Sequence, residues 1–193
     1  MNICVFGAAS DKINKQYITE VEKLGEMMGS NGHTLIFGAG KDGLMGAVAR
    51  GMKKMGAEIY GVIPYFFLDE KIEGLYDKCT ELIKTDTMRE RKAVMENMAD
   101  AFIIVPGGIG TFEEFFEIVT LKQLARHNKA IAIFNINGYY DHLEEMMEHS
   151  MREGFVREQC SSLYSCFDKA EDVLNYIEND IASELDLNQL KRN

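Results

Sequence analysis

Short apolar runs and longer amphipathic stretches alternate along this chain. The runs are Asn2–Phe6, His33–Phe37, Ala57–Val62, Cys79–Ile83, Ala101–Val105, Ala130–Phe134 and Leu163–Phe167. Their length and bounding turn residues predict seven strands. Between them, apolar positions recur at helical spacing over roughly Lys15–Ser30, Leu44–Met55, Met88–Met98, Phe112–Arg126, Tyr139–Glu153 and Lys169–Asp180. Strands alternating with helices predict an α/β fold, a parallel sheet flanked by helices on both faces. Right-handed crossovers make that sheet doubly wound. One domain is expected over residues 1–181, with a polar tail at 182–193.

In such a sheet, ligands gather at the carboxyl ends of the strands. Three glycine-containing segments follow strands and meet there: Gly7–Ser10, Gly38–Gly43 and Pro106–Thr111. The longest irregular connection, Pro64–Tyr76, is expected near the site or a partner subunit.

The chain has 193 residues, 46% of them hydrophobic, enough for a substantial core. Its net charge of −10 opposes general affinity for nucleic acid, which relies on a basic face. It leaves room for a single phosphate where positive groups converge. No window resembles a membrane span and no signal peptide is visible. Cys4, Cys79, Cys160 and Cys166 form no CxxC pair, which suits a reduced, cytoplasmic protein.

The most informative stretch is Val105–Glu114, VPGGIGTFEE, between a strand and a helix. Gly107, Gly108 and Gly110 let backbone amides approach an anion, and the helix N-terminus adds partial positive charge. Thr111 can offer a hydroxyl and an N–H. A capping box, with Thr111 as cap and Glu114 reaching back, accounts for two of these residues but not for the three glycines. Phe112, Phe115, Phe116 and Val119 share helical spacing and read as core.

A second constellation, Met88–Lys92, brings three cations to the start of a helix, where they oppose the macrodipole. Either a solvated face with ion pairs, such as Glu90 with Lys84, or a bound phosphate or buried acid accounts for them. In the latter case Arg91 pairs with Glu114 across the site. A third, Gly38–Gly43, satisfies GxGxxG. It follows the second strand, however, and the acid about 20 residues on, Glu58, starts a strand instead of ending one. It reads as a wall of a mononucleotide pocket or as a tight turn. The four histidines show no metal-ligand spacing, and no nucleophile elbow is present.

Together these residues resemble the LOG (LONELY GUY) family of nucleotide phosphoribohydrolases. Its signature PGGxGTxxE stands here as Pro106–Glu114, and its M-x-x-R-K element as Met88–Lys92. Gly43–Gly46, Gly61–Pro64 and Gly138–Asp141 supply supporting elements. The likeness spans about residues 2–178. It implies a Rossmann-like fold, a homodimer, no cofactor, and hydrolysis of the N-glycosidic bond of AMP or an N6-modified AMP. By position, Arg91 and Glu114 form the catalytic pair. Gly107, Gly108, Ile109, Gly110 and Thr111 form the phosphate cradle, and Lys92, Glu113 and Thr120 border the nucleotide. An acidic family residue corresponds to Glu70 or Glu73. The family has also carried a lysine decarboxylase label, which no residue here supports. The alternatives are a nucleotide-binding sensor without catalysis and an NAD(P)-dependent oxidoreductase using Gly38–Gly43.

Overall fold

The computed structural model describes residues 1–69 and 74–179. Glu70, Glu73 and the tail at 182–193 lie outside the described residues. Seven parallel strands form one sheet in the order β4-β3-β2-β1-β5-β6-β7. They are β1 (Asn2–Phe6), β2 (Thr34–Phe37), β3 (Ile59–Pro64), β4 (Glu81–Thr85), β5 (Ala101–Ile104), β6 (Ala130–Phe134) and β7 (Ser165–Phe167). The helices are α1 (Lys15–Ser30), α2 (Gly43–Lys54), α3 (Tyr65–Asp69), α4 (Met88–Met98), α5 (Ile109–Gln123), α6 (Asp141–Arg152) and α7 (Ala170–Asn179). Among the described residues, no helix is long and apolar enough to cross a membrane.

Strand β1 is the pivot. Ile3 lies in register with Leu35 of β2 and Ala101 of β5. Its side chains alternate between two cores, as a strand's period of two requires. Ile3 and Val5 join α1, α2 and α7, whereas Cys4 and Phe6 join α4, α5 and α6. The expected doubly wound sheet is therefore observed. The chain leaves β1 toward one face and β5 toward the other, opening a crevice between their carboxyl ends.

Several boundaries differ from the pattern. β3 runs on to Pro64, and β4 begins at Glu81, leaving Cys79 in the preceding turn. Part of the expected irregular connection is the short helix α3. α5 starts at Ile109, three residues before Phe112. Glycine is a poor helix former, so its presence at 107, 108 and 110 disguised the first turn.

Helices α1 and α2 cross closely enough that a Cβ on Gly25 would overlap the Val48 carbonyl. On helix propensity alone, Gly25→Ala gains about 1 kcal/mol. Overpacking typically costs about 1–3 kcal/mol, and the obstacle here is backbone, which cannot swing aside. The expected outcome of Gly25→Ala is a lower urea midpoint than wild type, despite the better helix former.

Candidate active site

The site is built first from the start of α5. Gly108 is its N-cap residue, with extended φ −98° and ψ −153°. It has no side chain to cap the helix. The first turn closes with Phe112 N donating to Gly108 O at 3.0 Å. The amides of Ile109, Gly110 and Thr111 precede that bond and have no carbonyl within the helix to receive them. Thr111 is the third helical residue, 4% exposed, and stands against Gly107. The capping box with Thr111 as cap does not form, because the helix has already begun.

Gly108, Gly110, Thr111, Glu113 and Glu114 line a pocket of about 270 Å³. Gly7, Ala8 and Ala9 after β1, Gly38 and Gly40 after β2, and Arg91 of α4 complete its polar side. Among the described residues, a Cβ at Gly108 or Gly110 would meet no atom within 4 Å beyond the adjoining residues and the helix's own backbone. Protein packing therefore does not call for glycine at either position. Bare backbone facing open space is what a closely approaching anion uses.

Arg91 is the one cation of its cluster that lines this pocket. Helical period places Met88, Arg91 and Met95 on the same face, and all three line it. Arg89 is exposed. The Arg91 side chain is 9% exposed, and its Nε donates to Val62 O at 3.1 Å. The Phe67 ring lies 5.8 Å from its Cζ, a cation–π distance. Gly38 makes its path: a Cβ there would overlap Arg91 Nη2. The start of α4 is fixed by Thr87 as its N-cap residue. Thr87 Oγ1 accepts from Glu90 N at 3.1 Å, and Glu90 accepts from Asp86 N at 2.8 Å.

The other glycine-rich helix start is closed. Leu44 N and Met45 N of α2 both donate to the Ala8 carbonyl, at 2.8 and 3.3 Å. A backbone oxygen occupies the place a pyrophosphate takes in a dinucleotide fold. Gly38–Gly43 instead supplies the notch for Arg91 and, through Gly40, a wall of the pocket.

The remaining sequence-predicted residues separate. Lys92 turns toward α5, pairing with Glu113 at 2.5 Å and Glu117 at 2.6 Å. Burial pulls its ammonium down, but the two carboxylates outweigh it and hold it above its ordinary range. The pair of bridges ties α4 to α5 beside Arg91 and Glu114. Glu96, behind them, is raised by burial and then by the Glu117 carboxylate. Ile109 is 87% exposed and does not line the pocket. Thr120 is exposed and stands nine residues beyond Thr111, about 13 Å along the helix. Gly107 borders a neighbouring hollow with Tyr17 and Tyr139. Cys4 lies beneath the site: burial pushes its thiol well up, Glu114 adds to this and Arg91 opposes it. Such a thiol is structural.

Phe67, Met45, Met88 and Met95 form the pocket's apolar side, a role the sequence did not indicate for any of them. The signal for Phe67 was the apolar tetrad Tyr65–Leu68 directly after Pro64. Among the described residues, no group of three or more His, Cys, Asp or Glu converges as metal ligands would.

A family model described as "Possible lysine decarboxylase" matches residues 45–177. Over 189 residues the chain is 33% identical to a probable cytokinin riboside 5′-monophosphate phosphoribohydrolase of Oryza sativa subsp. japonica, covering 98% of this chain and 76% of that one. It is 34% identical to a cytokinin riboside 5′-monophosphate phosphoribohydrolase of Arabidopsis thaliana, covering 91% and 82%. In fold it is similar to the molybdenum cofactor carrier protein of Chlamydomonas reinhardtii, with a TM-score of 0.69 and 16% identity over 92% of this chain and 95% of that one. The molybdenum cofactor binding protein of Rippkaea orientalis gives a TM-score of 0.67 and 15% identity over 92% and 93%.

The geometry separates two neighbouring glycines. A Cβ at Gly107 would overlap Thr111 Oγ1, whereas one at Gly108 meets open space. Thermal denaturation should find Gly107→Ala clearly destabilised and Gly108→Ala within about 1 kcal/mol of wild type.

Proposed function

The chain belongs to the family of cytokinin riboside 5′-monophosphate phosphoribohydrolases, and on that premise we propose that it hydrolyses the N-glycosidic bond of AMP or of an N6-modified AMP. The products are the free base and ribose 5-phosphate. The observation that carries this reading is the convergence, in one pocket, of an open helix N-terminus, a buried arginine and a glutamate. The phosphate sits on the amides at the start of α5. This fixes the sugar and converts the attack of water into a positioned step.

Breaking the bond from C1′ to the base nitrogen sends its electron pair to the base and leaves oxocarbenium character on the sugar. Glu114 faces that positive charge and receives the proton of the attacking water as its oxygen bonds to C1′. In the net reaction water's hydroxyl ends on C1′ and its proton on the base. Arg91, always charged, clamps the phosphate or orients Glu114 and donates no proton. Lys92 holds Glu113 and so sets the pitch of α5 relative to α4. The base lies along the Phe67, Met88 and Met95 side, whose apolar surface suits a planar purine.

A decarboxylase working through a Schiff base needs a lysine at the site. No lysine lines this pocket among the described residues. Four free thiols support a reducing compartment, the cytoplasm. The groove between α5 and α6, lined by Phe112, Phe116, Leu143 and Met146, supports a homodimer.

Incubation with AMP and isopentenyl-AMP, followed by chromatography, tests the reading: free base and ribose 5-phosphate should appear. Binding without base release would leave a nucleotide sensor. Glu114→Ala should lower kcat by at least about 100-fold with the fold intact by circular dichroism. Arg91→Ala should lower kcat/KM by a similar factor, equivalent to about 3 kcal/mol.

A further inference from the structure

We propose that Tyr139 is a positioning residue of the phosphate seat: its hydroxyl holds the Gly107 carbonyl outward and so aims the Gly108 amide into the pocket. The inference rests on the reading that a substrate phosphate occupies the start of α5.

Three consecutive carbonyls before that helix are each held by a donor outside the loop. The Tyr140 hydroxyl donates to Val105 O at 2.8 Å. Ala8 N donates to Pro106 O at 3.0 Å. The Tyr139 hydroxyl donates to Gly107 O at 2.5 Å. In a trans peptide the carbonyl and the amide of the same plane point in opposite directions, and no cis bond occurs among the described residues. Holding the Pro106 and Gly107 oxygens therefore sets where the Gly107 and Gly108 N–H groups point. Gly108 borders both the main pocket and the hollow where Tyr139 stands, whereas Gly107 borders only that hollow. Glycine at both positions leaves the 107–108 peptide free to rotate unless something fixes it. Without the tyrosine, the carbonyl can swing toward the pocket and present negative charge to the phosphate.

The tyrosine is itself held. Its ring meets Tyr17 edge-on at 6.2 Å and Tyr140 at 4.9 Å. The turn before it has left-handed backbone at Asn137 and Gly138, with φ of 55° and 69°. Asn135 Oδ1 accepts from Tyr140 N at 2.7 Å, and Asn135 Nδ2 donates to Asp141 at 2.8 Å. Burial raises the Tyr139 hydroxyl above its ordinary value, which keeps it a donor across the physiological range. The side chain is 40% exposed, so removing its hydroxyl leaves the core unaltered.

The test is Tyr139→Phe, titrated calorimetrically with ribose 5-phosphate and assayed with AMP. The phosphate is gripped equally in the ground state and the transition state, so the loss falls on binding. The Kd for ribose 5-phosphate and the KM for AMP should both rise roughly three- to tenfold, the worth of one hydrogen bond. The kcat should change less than twofold and the melting temperature by only a few degrees. In wild-type amide spectra, ribose 5-phosphate should shift Gly108 strongly, and in the variant only weakly. An unchanged Kd, or a fall in kcat with unchanged KM, overturns the proposal. If wild-type protein binds ribose 5-phosphate and the variant binds it more weakly, but neither releases base from nucleotides, the positioning role stands and the hydrolase reading falls. Failure of wild-type protein to bind ribose 5-phosphate defeats both.

Discussion

Everything at this site depends on the crevice between β1 and β5. The two strands lie side by side, yet the chain leaves them toward opposite faces of the sheet. No helix can cover both carboxyl ends at that point. The gap exposes main chain from two loops and leaves the first turn of α5 facing open space. The acid comes from α5 itself. Arginine comes from α4, and the apolar wall from α4, α3 and α2. The candidate active site thus assembles from elements distant in sequence because one topological constraint sets them around the same opening.

In the proposed reading, main-chain polarity does much of the recognition. The two glycine-rich helix starts are chemically similar in sequence, but their surroundings give them opposite uses. At α2, a carbonyl from the β1 loop accepts the leading amides. At α5, the nearby carbonyls are drawn away by Tyr139, Tyr140 and Ala8. One end is neutralised and the other keeps its partial positive charge. In a chain of net charge −10, the proposed phosphate seat thus needs no basic surface.

Much of this was legible in the sequence. α1 and α4 occupy the expected residues, and so do β1 and β6. Arg91, Glu114, Gly108, Gly110 and Thr111, all candidates from the sequence, line one pocket. What was hidden required three-dimensional context. The first turn of α5 is invisible because its glycines oppose helix locally and tertiary packing overrides them. The choice of Arg91 over Arg89 and Lys92 depends on which face of α4 meets β3. Phe67 reaches the pocket through a short helix whose five residues are too few to show a period. That Gly38–Gly43 is not a dinucleotide seat depends on Ala8, some 30 residues away in sequence.

The notch at Gly38 has an evolutionary corollary. The backbone there lacks a side chain because a guanidinium passes over it on its way to the pocket. The two positions come from different strand–helix units, yet position 38 cannot enlarge while arginine stands at position 91. A relative that shortens the residue at position 91 releases position 38 to take a bulkier one. The reverse order is barred, since enlarging position 38 first expels the arginine. In any lineage, loss of the arginine should therefore precede enlargement at position 38.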